Sequence, residues 1–321
     1  MVAVTGATGF IGRYFVERLL QKGTEIEVIT RDRRRVPQKW QGRVLIIEED
    51  IAKGVPRLSP DTEVVFHCAG EIRDPQQFYK TNVKGTWNIL DACIHNGIKK
   101  FVHLSSIGVM GVEKPGIFDE TSPCFPRNDY ERSKLEAERL ILETGQEKGL
   151  SVAILRPSIV YGPGKSSEKD SFLSLARSIK NGYFRYIDSD KGIYNIVYVG
   201  DVAEALLCLA LNPAVERGKV FIINDAIRWA NFVPYMQSLF QFERKIGSIP
   251  RPLAFCLGLG SELGRIFGIK LPFSISRFKA LSSKTIFSSG RIKKELNFKF
   301  LFGNAKGLRN TIDYYRRENL I

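Results

Sequence analysis

Thr5-Gly6-Ala7-Thr8-Gly9-Phe10-Ile11-Gly12 is the stretch on which the fold turns. It follows the β-branched run Val2–Val4 and opens the pattern Phe10–Leu20, which carries Ile11, Phe15 and Leu19 on one helical face. Between a strand and a helix, one glycine permits a tight turn and one lets the backbone approach a pyrophosphate. Gly12 then lets helix and sheet pack closely. The helix tip offers N–H groups and the positive end of its dipole. An ordinary strand–helix turn needs no three spaced glycines. Gly6, Thr8, Gly9, Phe10, Ile11 and Gly12 are therefore the expected phosphate cradle.

Outward from this loop, short apolar runs recur at Ile26–Thr30, Val44–Ile47, Val64–Cys68, Phe101–Ser105 and Val152–Arg156. Helical patterns lie between several of them. Val83, Trp87 and Leu90 mark one, and Asp129–Glu143, with Ala137, Leu140 and Ile141, marks another. This alternation predicts an α/β fold with a doubly wound parallel sheet of the Rossmann type. Continuously apolar strands fit a sheet covered on both faces. After Pro157 the regularity fades into shorter helices and loops. The expectation is a dinucleotide-binding unit over 1–156 and a smaller, interwoven substrate unit over 157–321, with some segments returning to the first.

The 321 residues are 44% hydrophobic and 26% charged, as in an ordinary globular chain. Five cysteines (68, 93, 124, 208 and 256) form no C-x-x-C pair, which points to free thiols in a reducing compartment, the cytoplasm. Met1 runs straight into the first strand, which leaves no room for a signal peptide. The net charge of +14 is concentrated: Arg265–Arg309 holds eleven Lys/Arg against Glu295 alone. Such a field suits a phosphorylated cofactor, a diphosphate, acidic lipid or simply solvent. No zinc-finger, basic-zipper or RNA-recognition signature accompanies it, so nucleic acid is not an expected partner. The apolar stretch Leu253–Phe273 is interrupted by Glu262, Arg265 and Lys270, short of a membrane span. Leu253, Cys256, Leu257, Leu263, Ile266 and Phe267 share a helical face, for which core or lid packing is expected ahead of an interfacial membrane helix.

Arg31 closes the second strand, where an acid would ordinarily hold ribose hydroxyls. An arginine there suits a 2′-phosphate, aided by Arg33, Arg34 and Arg35, so NADP is favoured over NAD although Asp32 complicates the choice. Asp50 and Ile51, after the third strand, are placed to reach an adenine. Tyr130 and Lys134 stand four apart on one helix face. A free phenol has a pKa near ~10, and a neighbouring ammonium favours the phenolate. Ser106 follows the fifth strand at the carboxyl edge, where its hydroxyl could hold a substrate oxygen while Tyr130 moves the proton. His67, His95 and His103 have no metal-ligand spacing, and no metal is expected.

These motifs together resemble the extended short-chain dehydrogenase/reductase superfamily. The likeness rests on residues 5–12, Phe66-His67-Cys68-Ala69-Gly70, Asn82-Val83-Lys84-Gly85-Thr86, Leu104-Ser105-Ser106 and Tyr130-Glu131-Arg132-Ser133-Lys134. Leu155-Arg156-Pro157, Val160-Tyr161-Gly162-Pro163-Gly164, Val199-Gly200-Asp201-Val202-Ala203 and Lys294–Phe298 continue it. The resemblance implies Ser106 as substrate-orienting hydroxyl, Tyr130 as acid/base, and Lys134 as pKa tuner and ribose ligand. It implies Asn82 as active-site support, with Cys68, Ala69, Gly70, Ser105 and Pro157 along the cofactor. It also suggests a homodimer through helices 75–95 and 129–148.

For the substrate three readings stand. The first is a nucleotide-linked sugar, epimerised or reduced at a 4-keto group. Against it, Ile159 replaces an asparagine and Tyr194 an arginine common in such enzymes, although Lys165, Lys169 and the basic segment could bind a diphosphate instead. The second is a dehydrogenase resembling 3β-hydroxysteroid dehydrogenases or flavonol-type reductases, acting on an apolar substrate, for which the basic face offers recruitment to a membrane surface. The third is a non-catalytic dinucleotide sensor.

Overall fold

The structure is a computed structural model describing residues 1–164, 170–212, 215, 218–266 and 274–321, with backbone alone for 262–266 and 276. Its centre is a seven-stranded parallel sheet. The strands are β1 (Val2–Thr5), β2 (Ile26–Thr30), β3 (Leu45–Glu48), β4 (Val64–His67), β5 (Lys100–Leu104), β6 (Ser151–Pro157) and β7 (Lys219–Ile223). Their spatial order is β7-β6-β5-β4-β1-β2-β3. The first six follow the apolar runs of the sequence to within a residue at either end.

The order reverses between β1 and β4, and this places the ligand crevice of a doubly wound sheet. Thr5 pairs with His67, and His67 with His103, at the carboxyl ends of β1, β4 and β5. The sheet is sandwiched. Phe15, Val16, Leu19, Phe66, Val102, Leu206 and Phe221 are buried on one face; Ile29, Val65, Ile89, Leu90, Phe101, Ile141 and Ile154 on the other. Helix α1 (Phe10–Gln21) starts at Gly9, α2 (Gly85–His95) follows a wide turn at Tyr79–Lys84, and α3 (Asp129–Lys148) ends at Gly149 in the left-handed region, φ 68°. Asn128 caps α3 by accepting from the Glu131 N–H.

Strand β7 comes from the half that reads as irregular. Lys219-Val-Phe-Ile-Ile is too short for its period to register, and it finds its place only by pairing with β6. The rest of this half builds its own aromatic core from Tyr161, Phe172, Tyr194, Trp229, Phe232 and Tyr315.

The expectation for Leu253–Phe273 needs correction. Helix Arg251–Ile266 packs on helix Ile275–Ser282 through small residues: Ala254, Gly258 and Ser261 face inward, while Leu253, Phe255, Cys256, Leu257 and Leu259 are exposed. A β-carbon on Gly258 would lie 2.8 Å from the Ile275 side chain, so the helices meet too closely for a larger residue on that face. The side chains of Leu263, Arg265 and Ile266, and Phe267 and Lys270 entirely, lie outside the described residues, as do Lys165 and Lys169. Among the described residues no helix is long and apolar enough to cross a membrane.

Candidate active site

The glycine loop has the geometry its sequence requires. Gly6 has φ +65°, and a β-carbon there would sit 2.5 Å from the Ala69 nitrogen and 2.6 Å from the Cys68 carbonyl. A β-carbon on Gly12 would fall 2.2 Å from the Gly6 carbonyl oxygen. The loop closes through Gly9 N–H to Gly6 O at 2.9 Å, and no side chain caps α1. An uncapped helix tip behind a loop stripped of side chains fits a dinucleotide phosphate. Thr8, Phe10 and Ile11 are half-buried around it.

A buried polar chain links this loop to the middle of the site. The Ala69 N–H donates to Thr5 Oγ1 at 3.2 Å, and Thr5 pairs with His67 Nδ1 at 2.7 Å. His67 Nε2 meets Thr86 Oγ1 at 3.0 Å, and the Thr86 hydroxyl donates to the Asn82 carbonyl at 2.6 Å. Thr86 spends its proton on Asn82, so His67 carries its own on Nε2 and accepts from Thr5 at Nδ1. Burial pushes the His67 pKa down to about 3, and the Lys134 charge adds to the shift. The ring is a neutral spacer.

Asn82 lies in the wide turn before α2. Its amide donates to the Glu71 carbonyl at 3.0 Å and to Ser133 Oγ at 2.9 Å, and its oxygen accepts from the Glu71 N–H at 2.7 Å. The loop after β4 is thereby tied to α3 one residue from Lys134. Gly70 packs against the same Asn82 oxygen.

Ser106, Tyr130 and Lys134 converge at the end of β5. Ser106 Oγ accepts from the Gly108 N–H at 3.1 Å, and the Ser106 hydroxyl is close enough to the Tyr130 phenol to act on its pKa. Lys134 is buried, and its ammonium donates to the Leu104 carbonyl at 2.8 Å and contacts His103 Nε2 at 2.9 Å. Burial pulls the Lys134 pKa down to about 8, opposed by the Glu138 and Cys68 charges. One expectation fails here. Burial raises the Tyr130 pKa and the Ser106 hydroxyl only partly offsets it, while Lys134 is not among the groups acting on the phenol. The protein alone holds a neutral tyrosine, because its lysine is turned toward β5.

Other expected residues are distributed unevenly. Ser105 turns inward and donates to Glu138. Ile51 is buried, with its carbonyl accepting from Asn88 at 2.6 Å, whereas Asp50 stays half-buried and caps the Ala52 N–H. Burial pushes the Cys68 thiol up to about 12, so it is a packed thiol. Pro157 ends β6. Arg31 opens a cleft shared with Asp32, Arg33, Arg34, Gln38 and Glu48. There Asp32 takes Arg34 through two bonds, 2.9 and 3.2 Å.

Contacts that the sequence did not reveal complete the site. Glu138 and Arg156 form a buried two-pronged ion pair, with Nε to Oε1 at 3.0 Å and Nη2 to Oε2 at 2.5 Å, which locks α3 to β6. A cavity of about 540 Å³ starts at the residues that follow Ser106, lined by Ile107, Val112, Ile159, Ile193, Phe278 and Phe287 but not by Ser106, Tyr130 or Lys134 themselves. Arg127, Arg251, Lys279 and Lys284 also line it, against Glu113, which pairs with both Arg127 and Lys279. Tyr194 reaches this wall from the core, stacked on Trp229 at 4.4 Å. No group of three or more His, Cys, Asp or Glu among the described residues could hold a metal.

The model of the NAD-dependent epimerase/dehydratase family matches residues 2–223. The chain is 29% identical to a 3β-hydroxysteroid-dehydrogenase/decarboxylase of Arabidopsis thaliana, over 97% of this chain and 79% of that one. It is 28% identical to the UDP-glucose 4-epimerase of Vibrio cholerae, over 83% and 82%. The solved structure of MoeE5 with UDP-glucose and NAD superposes with a TM-score of 0.73 at 25% identity, over 99% of both chains. With its glycine loop, switch point and Ser–Tyr–Lys cluster in place, the chain belongs to the NAD-dependent epimerase/dehydratase family, within the extended short-chain dehydrogenase/reductase superfamily.

Proposed function

We propose that the protein oxidises or reduces a secondary alcohol or ketone on an apolar molecule, in the manner of a 3β-hydroxysteroid dehydrogenase. The observation that carries this reading is the apolar wall of the cavity that starts after Ser106: Ile107, Val112, Ile159, Ile193, Phe278 and Phe287. Such a wall suits a hydrocarbon skeleton. The relative named for 3β-hydroxysteroids supports the same class.

The residues divide the work. The nicotinamide cofactor, when bound, supplies or takes the hydride. Gly6, Gly9 and Gly12 admit its phosphates to the tip of α1. Ser106 holds the substrate oxygen, with its own acceptor position fixed by the Gly108 N–H. Tyr130, close to Ser106, gives or takes the proton of that oxygen. Lys134 holds a ribose, and Asn82 positions the helix that bears Lys134 and Tyr130. Arg31 selects NADP over NAD. Residues 1–156 form the cofactor unit and 157–321 the main substrate unit, with β7 returned to the sheet. A homodimer is supported by the exposed Tyr79 and Trp87, which stand along the helices proposed to pair. A cytoplasmic setting suits five free thiols. Peripheral membrane contact fits a lipophilic substrate.

A second reading, epimerisation or 4-keto reduction of a nucleotide-linked sugar, is favoured by Arg127, Lys279 and Lys284 in the cavity, which could meet a diphosphate. The two separate cleanly. The first expects steady cofactor turnover with a 3β-hydroxysteroid probe and no rise in melting temperature with UDP. A clear UDP-dependent rise, with no cofactor turnover on the steroid, would replace the first reading with the second.

A further inference from the structure

Helix Arg251–Ile266 is built inside out. Among the side chains described, up to Ser261, the inward residues Ala254, Gly258 and Ser261 are small, and the large apolar ones face solvent: Leu253 (54% exposed), Phe255 (44%), Leu257 (47%) and Leu259 (44%). A helix of a water-facing surface has the opposite pattern, with large apolar residues packed and polar ones outside. Single exposed leucines need no explanation, but here Leu253 and Leu257 flank one side of the outward arc and Phe255 and Leu259 the other, with exposed Pro252, Cys256 and Gly260 between them.

The patch adjoins the proposed substrate cavity. The Phe255 ring packs edge-on against Phe278 at 5.7 Å, the Arg251 guanidinium lies 5.9 Å over the same ring, and both Phe278 and Arg251 line the cavity. Exposed Arg251, Lys279 and Lys284 stand at this mouth, and exposed Lys114 lies on the loop that meets Lys284 through the Gly116 N–H. Only Glu113 opposes them in the lining, and it is already paired with Lys279 and Arg127. Leucines and a phenylalanine beside a ring of cations match the acyl boundary and the anionic headgroups of a bilayer surface.

We infer that the outward face of helix Arg251–Ile266 docks on an anionic lipid surface and opens the cavity that starts after Ser106 toward it. This rests on the apolar-substrate reading above, since a mouth at the bilayer is useful for a substrate that partitions there. A second copy of the chain would match the leucines but would set the mouth's cations against their own kind.

The test is sedimentation of the full chain with vesicles of pure phosphatidylcholine and of phosphatidylcholine mixed with phosphatidylglycerol, without substrate. The wild type is expected to bind the mixed vesicles at least tenfold more tightly than the neutral ones, and less as salt rises. Leu253→Gln with Leu257→Gln keeps helix propensity and lies outside the cavity lining. This pair should lose at least tenfold in vesicle binding with unchanged melting temperature and unchanged turnover of a water-soluble carbonyl. Absence of wild-type binding to mixed vesicles overturns the inference, as does a double variant that binds like the wild type. A wild-type dimer in solution that the double variant dissolves, without vesicle binding, assigns the face to a second copy instead. Because binding is read without substrate, its failure leaves the hydride-transfer reading untouched, and failure of steroid turnover leaves the binding result standing.

Discussion

The Lys134 ammonium lies 2.9 Å from His103 Nε2, at a point where β5 has already supplied the Leu104 carbonyl at 2.8 Å. His103 is fully buried, its pKa is held well below the usual range by burial and by Lys134, and it stacks on His67 at 5.1 Å. A neutral ring that accepts from the ammonium keeps its proton on Nδ1, which has no hydrogen-bond partner among the described residues. The fold thus tolerates an orphaned N–H in order to hold Lys134.

Removing that acceptor should disfavour the charged lysine. In His103→Phe the alkaline limb of the kcat/KM profile is expected to move to lower pH, by about one unit. In His103→Gln a carbonyl oxygen can replace the ring nitrogen, and the profile should return most of the way. A purely structural role would lower stability in both variants and leave the limb where it was.

Glu138 and Arg156 pin the helix carrying Tyr130 and Lys134 to β6, and Ser105 donates a further bond to the same carboxylate. Arg156→Met strands a buried charge. Such a loss typically costs about 3–5 kcal/mol. Urea unfolding should show a drop of that order, and a change below about 1 kcal/mol would mean that water reaches the pair.

His67 and His103 make the protein sensitive to acid. Both pKa values are lowered by folding, His67 to about 3 from 6.5, so the unfolded chain binds protons that the native state refuses. The stability these neutral rings permit is complete above about pH 6.5. It is lost progressively as pH falls toward about 3. His67→Asn should begin less stable at pH 7 yet show a shallower decline over this window in melting temperature. Parallel curves for the two proteins would contradict the assignment.

Arg31 is the residue proposed to meet a 2′-phosphate. In the cleft at the end of β2, Arg34 is held by Asp32 and Arg33 lies 3.8 Å from Glu48. Arg31→Ala should raise the Kd for NADP by about tenfold or more, a typical charge-assisted contact, with little change for NAD. Equal effects on the two cofactors would remove the basis for discrimination.

Much of this was legible in the chain. The glycine spacing, six of the seven strands and the Tyr130/Lys134 pair are local patterns, and local patterns survive into the structure because buried strands and helix faces obey short periods. The parts that escaped are pairings across long separations. Lys134 meets His103 thirty-one residues away and Arg156 meets Glu138 across eighteen, and neither distance carries a period. β7 was hidden because Lys219–Ile223 acquires its meaning from β6. The apolar face of helix Arg251–Ile266 was visible as a stripe, but which side of the stripe met the protein depended on close packing against Ile275.

The central claim is that Tyr130, beside Ser106, moves the proton while hydride passes to or from the nicotinamide. It is tested most directly by following nicotinamide absorbance in a single turnover of a 3β-hydroxysteroid by the wild type and by Tyr130→Phe, with cofactor affinity measured separately. The account predicts cofactor binding within about twofold of wild type and a reduction rate lower by at least about a hundredfold. Reduction at the wild-type rate without the phenol hydroxyl would contradict it.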